Sequence, residues 1–297
     1  MTRVIYSLYI DIPEDELDWQ KPYPGETQPK TFKTKKAMEE YYSWLKRMQS
    51  KYAKSIGVDY ILFEKDESFE EYKKWFKTSY PMITSYNIVN FYKIHLMYEL
   101  AKKYDEILYL DFDAVPLSTN NFFDHWNLDE GMAILTNRTH VDTTLHKIVH
   151  DAKIDPKHYH SVRSPTAKYW NARALLLHNN KSGNNDVYNT GIIGITSQQV
   201  SKLNYWDSFE DLINQMTELR EEEDSMWPPH IQMLFGYDNE TIWSYRMKQN
   251  DLTQQWLTED WHHFMDKWNY IPHGTNIVHV INKNFQYVKD WYEKNNL

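Results

Sequence analysis

"ILYLDFDAVP", residues 107–116, is the stretch that decides the fold. Its apolar opening predicts a buried strand from Ile107 to Leu110, because short continuous apolar runs are typical of central strands in α/β proteins. Asp111 and Asp113 follow directly, one residue apart. Open α/β sheets bind ligands at the carboxyl ends of their strands. The two aspartates are therefore candidate site residues.

Three interpretations of Asp111 and Asp113 are open from these residues alone. Residues i and i+2 of an extended segment point the same way, so both carboxylates can converge on one ligand. They could then form a metal clip, or a nucleophile with a neighbouring acid. The third interpretation is a pair of solvated, turn-forming aspartates before Pro116.

The elements around this strand predict an α/β fold. Strands are predicted at 4–10 and 58–66, and helices at 35–55, at 68–77 from a cap at Ser68, and at 88–103. Strand, helix and strand in this rhythm predict right-handed crossovers and a mostly parallel central sheet flanked by helices. Further on we expect strands at 131–136, 187–196 and 275–282, two helices within 142–177 with a break at 156–165, helices at 197–220 and 238–251, and a helical tail. Without repeats or a linker, one continuous domain is predicted for residues 1–297.

Composition excludes several classes of protein. The chain has 297 residues, 41% hydrophobic and 25% charged, which is typical of a soluble globular protein. Its net charge of −9 comes without a basic block, so nucleic acid is not expected as a partner. There is no cysteine, which excludes disulfides, thiolate catalysis and cysteine-bound metals. The aromatic content of 16% suits both a sugar-handling surface and a large aromatic core.

The sequence also predicts a cytoplasmic location. The N-terminal apolar run is short, is broken at Asp11 and has no small-residue cleavage site, so a first strand is predicted instead of a signal peptide. No stretch approaches the roughly 18 apolar residues of a transmembrane helix. The sequons at Asn137, Asn180 and Asn239 therefore carry little weight.

A phosphatase of the haloacid dehalogenase type is one candidate function. "LYLDFDAV" fits the opening motif of that class, with Asp111 as nucleophile and Asp113 as acid/base. That chemistry also needs a downstream lysine and an acidic pair after a later strand. The acidic cluster downstream, Glu221 to Asp224, follows a predicted helix and not an apolar strand.

A metal-dependent glycosyltransferase is the second candidate. Such an enzyme must stabilise a nucleoside diphosphate leaving group, and a divalent ion neutralises the developing charge as a Lewis acid. Two carboxylates at the strand edge and a histidine from elsewhere would suit Mn²⁺, with Mg²⁺ as the alternative.

Four stretches together resemble the GT-A nucleotide-sugar glycosyltransferases, in particular the glycogenin and lipopolysaccharide hexosyltransferase group (family 8-like). They are "FYKIHLMYELAKKYDEILYLDFDAVP", "YNTGIIGIT", "GYDNETIW" and "KWNYIPHGTNIVHVINK", in the order of that group. The resemblance covers roughly residues 87–285 and the first strand. It implies a GT-A, Rossmann-like single domain with a nucleotide-binding part at about 1–116 and a sugar and acceptor part at about 117–297.

The resemblance also implies roles, position by position. Asp111 and Asp113 would hold the metal and the donor, and His279 would complete the metal site. Lys283, Lys93 and the region of Asp11 would face the diphosphate, the donor and the nucleotide. The implied residues that contact the transferred sugar or the acceptor are Asn189, Asp238 and Glu240.

Some positions depart from the group's pattern or have a plainer explanation. Lys93 stands where many relatives carry arginine, and Asn282 stands near a glycine of the group. The segment from Asp18 to Ser55, which follows the first strand, is longer than the resembling group would lead us to expect. His262 and His263 are adjacent and so point in different directions; neither is predicted to be a ligand.

The predicted function is transfer of a hexose or pentose from a nucleoside-diphosphate sugar, UDP favoured over GDP, to a hydroxyl of a glycan or protein. An inverting enzyme needs a general base, for which Asp238 and Glu240 are the candidates. Retention, which the resembling group uses and which we favour, needs no strong base. The rivals are the phosphatase, a sugar-nucleotide pyrophosphorylase, and a carbohydrate-binding protein without catalysis.

Overall fold

The fold is described from a computed structural model that covers residues 1–16, 30–136, 165–227, 229–232, 235–266 and 268–295. The chain forms two compact units. The first comprises Met1–Ala133, Gly191–Ser197 and Leu257–Leu297, and the second Ile134–Thr190 and Gln198–Trp256. Each unit is described by itself.

Strands and helices alternate along the chain. The first half contains β1 (Arg3–Leu8), a 3₁₀ turn (Glu14–Glu16), α1 (Lys30–Ser55), β2 (Asp59–Phe63), α2 (Glu67–Ser79), α3 (Ser85–Leu100), β3 (Glu106–Leu110), β4 (Ala114–Pro116), α4 (Phe122–His125) and β5 (Met132–Thr136). The second half contains α5 (Pro165–His178), β6 (Tyr188–Thr196), α6 (Ser197–Leu203), α7 (Phe209–Glu221), α8 (Pro229–Gln232), α9 (Asn239–Gln249), β7 (Gln254–Trp256), β8 (His263–Phe264), β9 (Ile277–His279) and α10 (Phe285–Lys294).

The main sheet has the strand order β2-β1-β3-β6-β5-β7. β1 pairs in parallel with both β2 and β3, as the alternation of strands and helices predicts. β3 and β6 are antiparallel, with Leu110 opposite Ile192. The predicted α/β class, with a mostly parallel sheet flanked by helices, is confirmed. A second, three-stranded sheet has the order β4-β9-β8.

The start of α2 differs from the prediction. Asp66, and not Ser68, is the N-cap, and its side chain accepts a hydrogen bond of 2.8 Å from the Phe69 amide. An aspartate two residues earlier offers the same capping chemistry, so the helix gains half a turn.

Glu16 of the 3₁₀ turn joins α2 and α3. Its carboxylate accepts hydrogen bonds from Lys73, at 2.6 Å, and from the Ser85 hydroxyl. Partial burial raises the pKa of Glu16, but the hydrogen bonds from Lys73 and Ser85 outweigh it, so the pKa lies below its ordinary value. These two hydrogen bonds therefore connect the segment after β1 to both helices.

The helix predicted at 197–220 is wrong as a single element, because it is two helices, α6 and α7. Asn204 and Ser208 both take left-handed backbone conformations, with φ of 48° and 46°. Asparagine tolerates this conformation better than most residues, and it ends α6 one residue after Leu203. The apolar periodicity continues across the break, which is why the sequence alone suggests one helix.

The other predicted elements agree with the structure within a few residues, where the structure describes them, but β4, α4, α8, β7, β8 and the 3₁₀ turn were not predicted. α5 corresponds to the second of the two helices predicted at 142–177. The first of those helices and most of the predicted break lie outside the described residues. Within the described ranges, no helix is both long and apolar enough to cross a bilayer.

One apolar core of the first unit underlies the loop that carries Asp111 and Asp113. Phe112 is buried in it and packs on the rings of Tyr9 and Tyr42, with ring centroids 4.9 and 5.5 Å away. The other buried members come from α1, β4, β9, α10 and the loops beside them: Trp44, Leu45, Met48, Val115, Leu117, Met265, Ile271, Val278, Val280, Phe285 and Val288. Phe112, which stands between the two aspartates in sequence, therefore anchors the loop to this core.

Candidate metal centre

Asp111 and Asp113 lie in a tight turn between β3 and β4. The Ala114 amide donates a 2.8 Å hydrogen bond to the Asp111 carbonyl, which closes a four-residue turn. The prediction that both aspartates lie on one face of an extended segment is therefore wrong, because they lie in a turn. The predicted convergence of the carboxylates is nevertheless confirmed, because the turn directs both of them toward His279.

Gln49 of α1 holds this turn from the protein interior. Its amide nitrogen donates to the carbonyls of Asp111 and Ala114, each at 2.9 Å. Its amide oxygen accepts from the hydroxyls of Ser7, at 2.7 Å, and Tyr60, at 2.9 Å. Gln49 is fully buried, and it was not among the residues predicted from sequence. A polar side chain on the apolar face of α1, next to Met48, is the signal that could have pointed to it.

Asp111, Asp113 and His279 form a cluster whose ligand atoms lie within 4.8 Å of one another. His279 Nε2 is 3.4 Å from Asp113 Oδ1 and 3.6 Å from Asp111 Oδ2. Neighbouring ligands of an octahedral ion are roughly 3.0–3.6 Å apart at the bond lengths of Mg²⁺ to Ca²⁺. Two hard oxygens and one imidazole nitrogen at these separations fit a divalent cation.

The position of His279 follows from strand pairing. β4 and β9 are antiparallel, and Ala114 lies directly opposite His279. The Val280 amide also donates to the Asp113 carbonyl, at 3.0 Å. The histidine and the acidic turn are thus joined through backbone, although they lie far apart in sequence.

Lys283 is the cationic partner of Asp113. Its ammonium group hydrogen-bonds Asp113 Oδ2. Burial alone would raise the pKa of Asp113, but Lys283 and His279 more than offset it and hold the pKa well below its usual range. Lys283 itself has a φ of 59°, a left-handed conformation that costs about 1–3 kcal/mol for a residue other than glycine. Backbone strain thus accompanies this ion pair at the site.

Asp111 has its own partners. The Tyr109 hydroxyl donates to Asp111 Oδ1 at 2.6 Å, and Lys93 Nζ lies 3.5 Å from the same oxygen. Lys93 is buried, and its Nζ lies 4.9 Å from the centroid of the Tyr109 ring. Burial and the Asp111 charge raise the pKa of Tyr109 well above its ordinary value, so its hydroxyl stays a donor. The structure therefore places Lys93 beside Asp111, and adds Tyr109, which sequence reasoning did not select.

His262 and His263 point in different directions, as predicted. His262 Nε2 lies 3.0 Å from Nδ1 of His279, and His263 Nε2 lies 2.8 Å from the Tyr270 carbonyl. Burial lowers the pKa of His262 well below its ordinary value, and the neighbouring His279 lowers it further. His262 thus contacts the cluster through His279, a contact that was not predicted from sequence.

Asp11 follows β1 and pairs with Lys35 of α1. Lys35 also lies 2.8 Å from Glu39 on the same helix. Burial alone would lower the pKa of Lys35, but Asp11 and Glu39 raise it above its ordinary value. The exposed Asp11 carboxylate thus forms an ion pair with α1, which lies within the segment from Asp18 to Ser55 that is longer than expected from the resembling group.

In the second unit, Glu240 lies at the start of α9. Its Oε1 accepts hydrogen bonds from the amide and the hydroxyl of Thr190, at 2.8 and 3.1 Å. Its other oxygen pairs with Lys168 of α5. Glu240 therefore links the start of α9 to Thr190 and to α5.

Asp238 is the N-cap of α9. Its two oxygens accept hydrogen bonds from the Thr241 amide, at 2.9 Å, and the Thr241 hydroxyl, at 2.6 Å. Burial raises the pKa of Asp238, against the opposing effects of Lys168 and Thr241. Asn189 is the second residue of β6 and is half-buried. These contacts place both residues at the ends of elements of the second unit.

Comparisons with known proteins give only distant similarities. No family model matches the chain, and no curated protein is similar to it in sequence. The galactosyltransferase LgtC, in complex with donor and acceptor sugar analogs, matches with a TM-score of 0.47 and 9% identity over 93% of this chain and 86% of that one. A glycosyltransferase involved in glycosylation of the major capsid of PBCV-1 matches with a TM-score of 0.42 and 12% identity over 99% and 100%. Mouse xyloside xylosyltransferase 1 matches with a TM-score of 0.40 and 10% identity over 75% and 76%. All three TM-scores are below 0.5, so these similarities carry no argument about activity.

Proposed function

We propose that this protein is a metal-dependent glycosyltransferase of the GT-A type. It would transfer a sugar from a nucleoside-diphosphate sugar, with UDP favoured over GDP, to a hydroxyl of a glycan or protein acceptor. The observation that carries the proposal is the cluster of Asp111, Asp113 and His279 at the end of a central strand. Carboxylates at this edge of an α/β sheet are placed for a ligand.

The cluster would hold a divalent cation, Mn²⁺ or Mg²⁺, between two carboxylate oxygens and one imidazole nitrogen. When bound, such a cation neutralises negative charge on a diphosphate leaving group. Asp113 and Asp111 supply the two negative charges, and the turn held by Gln49 sets the direction of both. Lys93 and Tyr109 contact the Asp111 carboxylate and orient it.

Lys283 is proposed to bind the diphosphate as a point charge. Its present partner is Asp113. A cation at the cluster would compete with Lys283 for that carboxylate, and the ammonium group could then pair with phosphate oxygens. The region of Asp11 is proposed to face the nucleotide.

Asn189, Asp238 and Glu240 are proposed to act on the transferred sugar or the acceptor, on the strength of the sequence resemblance. The hydrogen bonds of Glu240 support a positioning role for it. Asp238, whose pKa burial raises, is the better candidate base if the enzyme inverts. With retention, which we favour, Asp238 would orient the sugar. The single domain with its division near residue 116, and the cytoplasmic location, remain predictions.

Calorimetry with UDP and with GDP, each with and without Mn²⁺, tests this proposal. We expect UDP binding that requires Mn²⁺ in the wild type and is lost in Asp113→Asn. The matched control is Asp129→Asn, which removes an exposed carboxylate elsewhere in the first unit and should bind as the wild type does.

Other outcomes would favour the rival functions. Nucleotide binding that ignores Mn²⁺, or that survives Asp113→Asn, contradicts the proposal. A covalent phosphate trapped on Asp111 would favour the phosphatase. Binding of glycan without nucleotide or cation would favour a carbohydrate-binding protein.

A further inference from the structure

The two ring nitrogens of His279 have different neighbours. Nε2 faces the carboxylates, 3.4 Å from Asp113 and 3.6 Å from Asp111. Nδ1 faces Nε2 of His262 at 3.0 Å, which is hydrogen-bond distance. One nitrogen therefore belongs to the cluster and the other is held by a second histidine.

His262 is built into the interior of the first unit. It is 1% exposed, and its ring packs against those of both Phe264 and His279, with ring centroids 4.7 and 5.2 Å away. Its amide donates to the Thr258 carbonyl at 3.0 Å. The ring therefore has little freedom to turn away from His279.

The direction of the hydrogen bond between the rings decides what Nε2 of His279 can do. A neutral imidazole carries one proton, on either nitrogen. If Nδ1 of His279 donates to His262, Nε2 keeps a lone pair that faces Asp111 and Asp113. If His262 donates instead, the proton of a neutral His279 is on Nε2, and that nitrogen cannot bind a cation. Ligating histidines usually donate their second N–H to an outer partner, which fixes the tautomer.

The direction of this hydrogen bond also decides whether Nδ1 of His262 carries a proton. Nδ1 of His262 has no hydrogen-bond partner among the described residues. When His262 accepts from His279 through Nε2, its own proton must be on Nδ1, as a buried donor without an acceptor. Such donors are rare in proteins because they lose their hydration without replacement. The arrangement that leaves the Nε2 lone pair of His279 free therefore costs the hydration of one buried N–H of His262.

We propose that His262 is a positioning residue for the divalent cation: its Nε2 accepts the Nδ1 proton of His279 and so keeps the Nε2 lone pair of His279 toward the two aspartates. The contact is a hydrogen bond, so no proton is transferred from one imidazole to the other. This inference rests on the proposed function, because it assigns His262 a role at the same cation site.

Two variants of His262 test the role through cation affinity. Titration calorimetry with Mn²⁺ alone, without nucleotide, is the readout, and thermal unfolding checks that each variant is folded. We expect His262→Leu to bind Mn²⁺ about 10–100-fold more weakly than the wild type, the usual effect of losing an outer partner of a ligand. His262→Gln should stay within about threefold, because its amide oxygen can accept the same proton. His273→Leu, an exposed histidine of the same unit, is the matched control and should not differ from wild type.

Nitrogen-15 NMR of the wild type with Mg²⁺ gives an independent answer that needs no variant to fold. We expect both histidines to carry their protons on Nδ1 in the Mg²⁺-loaded protein. A proton on Nε2 of His262, or equal Mn²⁺ affinity of folded His262→Leu and wild type, would overturn the inference and leave the proposed function standing. A wild type that binds neither Mn²⁺ nor Mg²⁺ would overturn both.

Discussion

Replacing Gln49 by leucine would show how far the turn at Asp111–Ala114 depends on one buried side chain. The substitution removes the donor to both carbonyls of the turn and the acceptor for the Ser7 and Tyr60 hydroxyls. The Asp111 carbonyl keeps a second bond, from the Ala114 amide.

The expected loss of stability is roughly 3–5 kcal/mol, because each buried polar group left without a partner costs about 1–3 kcal/mol and the half-buried Tyr60 can reach water. This is a large part of the 5–15 kcal/mol that is typical of folded proteins. Urea unfolding, followed by tryptophan fluorescence, measures it. Mn²⁺ affinity should fall as well, since the turn carries Asp111 and Asp113.

Two further variants make the result specific to Gln49. Ser50→Leu places leucine at the next, exposed position of α1 and should change the unfolding free energy by less than about 0.5 kcal/mol. Gln49→Glu keeps an acceptor for Ser7 but turns an oxygen toward two carbonyl oxygens, so it should also be destabilising. If the unfolding free energy of Gln49→Leu lies within about 1 kcal/mol of that of Ser50→Leu, the turn does not depend on the Gln49 side chain.

Three other perturbations have expected outcomes. Gly194→Ala would put a methyl group 2.7 Å from Cζ of the buried Phe122 ring, and should lower the unfolding free energy by about 1–3 kcal/mol in urea titrations; an unchanged midpoint would contradict this packing. Without metal, Lys283→Met should lower the free energy of unfolding by about 3 kcal/mol, the lower end for breaking a buried ion pair. Mn²⁺ should raise the melting temperature of this variant more than that of the wild type. Equal shifts in melting temperature would contradict this prediction. Glu16→Gln should cost less than about 1 kcal/mol at pH 7, the range for a partly exposed pair such as that with Lys73. The folded-state pKa of Glu16 is lowered, so this stabilisation is complete above the unfolded-state pKa and is lost as the pH falls through the folded-state pKa. The difference from wild type should therefore vanish in acid, and a difference that persists there would contradict the assignment.

Much of the candidate site could be predicted from sequence because its residues stand at the ends of strongly patterned elements. The apolar run of β3 predicts where the chain reaches the edge of the sheet, and Asp111 follows it directly. Lys93 lies on α3, whose apolar residues predict a buried helix before β3. His279 lies in an apolar strand, and only the order of the motifs made it a candidate.

The break between α6 and α7 shows the limit of this reasoning. Apolar residues continue at helical spacing on both sides, with Leu203 before the break and Leu212 after it. The left-handed residues at the break are Asn204, which follows α6, and Ser208, which precedes α7, and both residue types also occur within helices. Periodicity therefore could not place the break.

The sequence by itself determined the class of fold and the edge at which the acidic turn lies, because alternating apolar periods and a strand end are local properties. Only the tertiary structure decided that the turn is closed by a hydrogen bond, that Gln49 holds it and that His262 stands behind His279. The contacts of Gln49 and His262 join residues 17 to 65 positions apart. They depend on how α1, β4 and β9 pack, and packing of distant segments leaves no period in the chain.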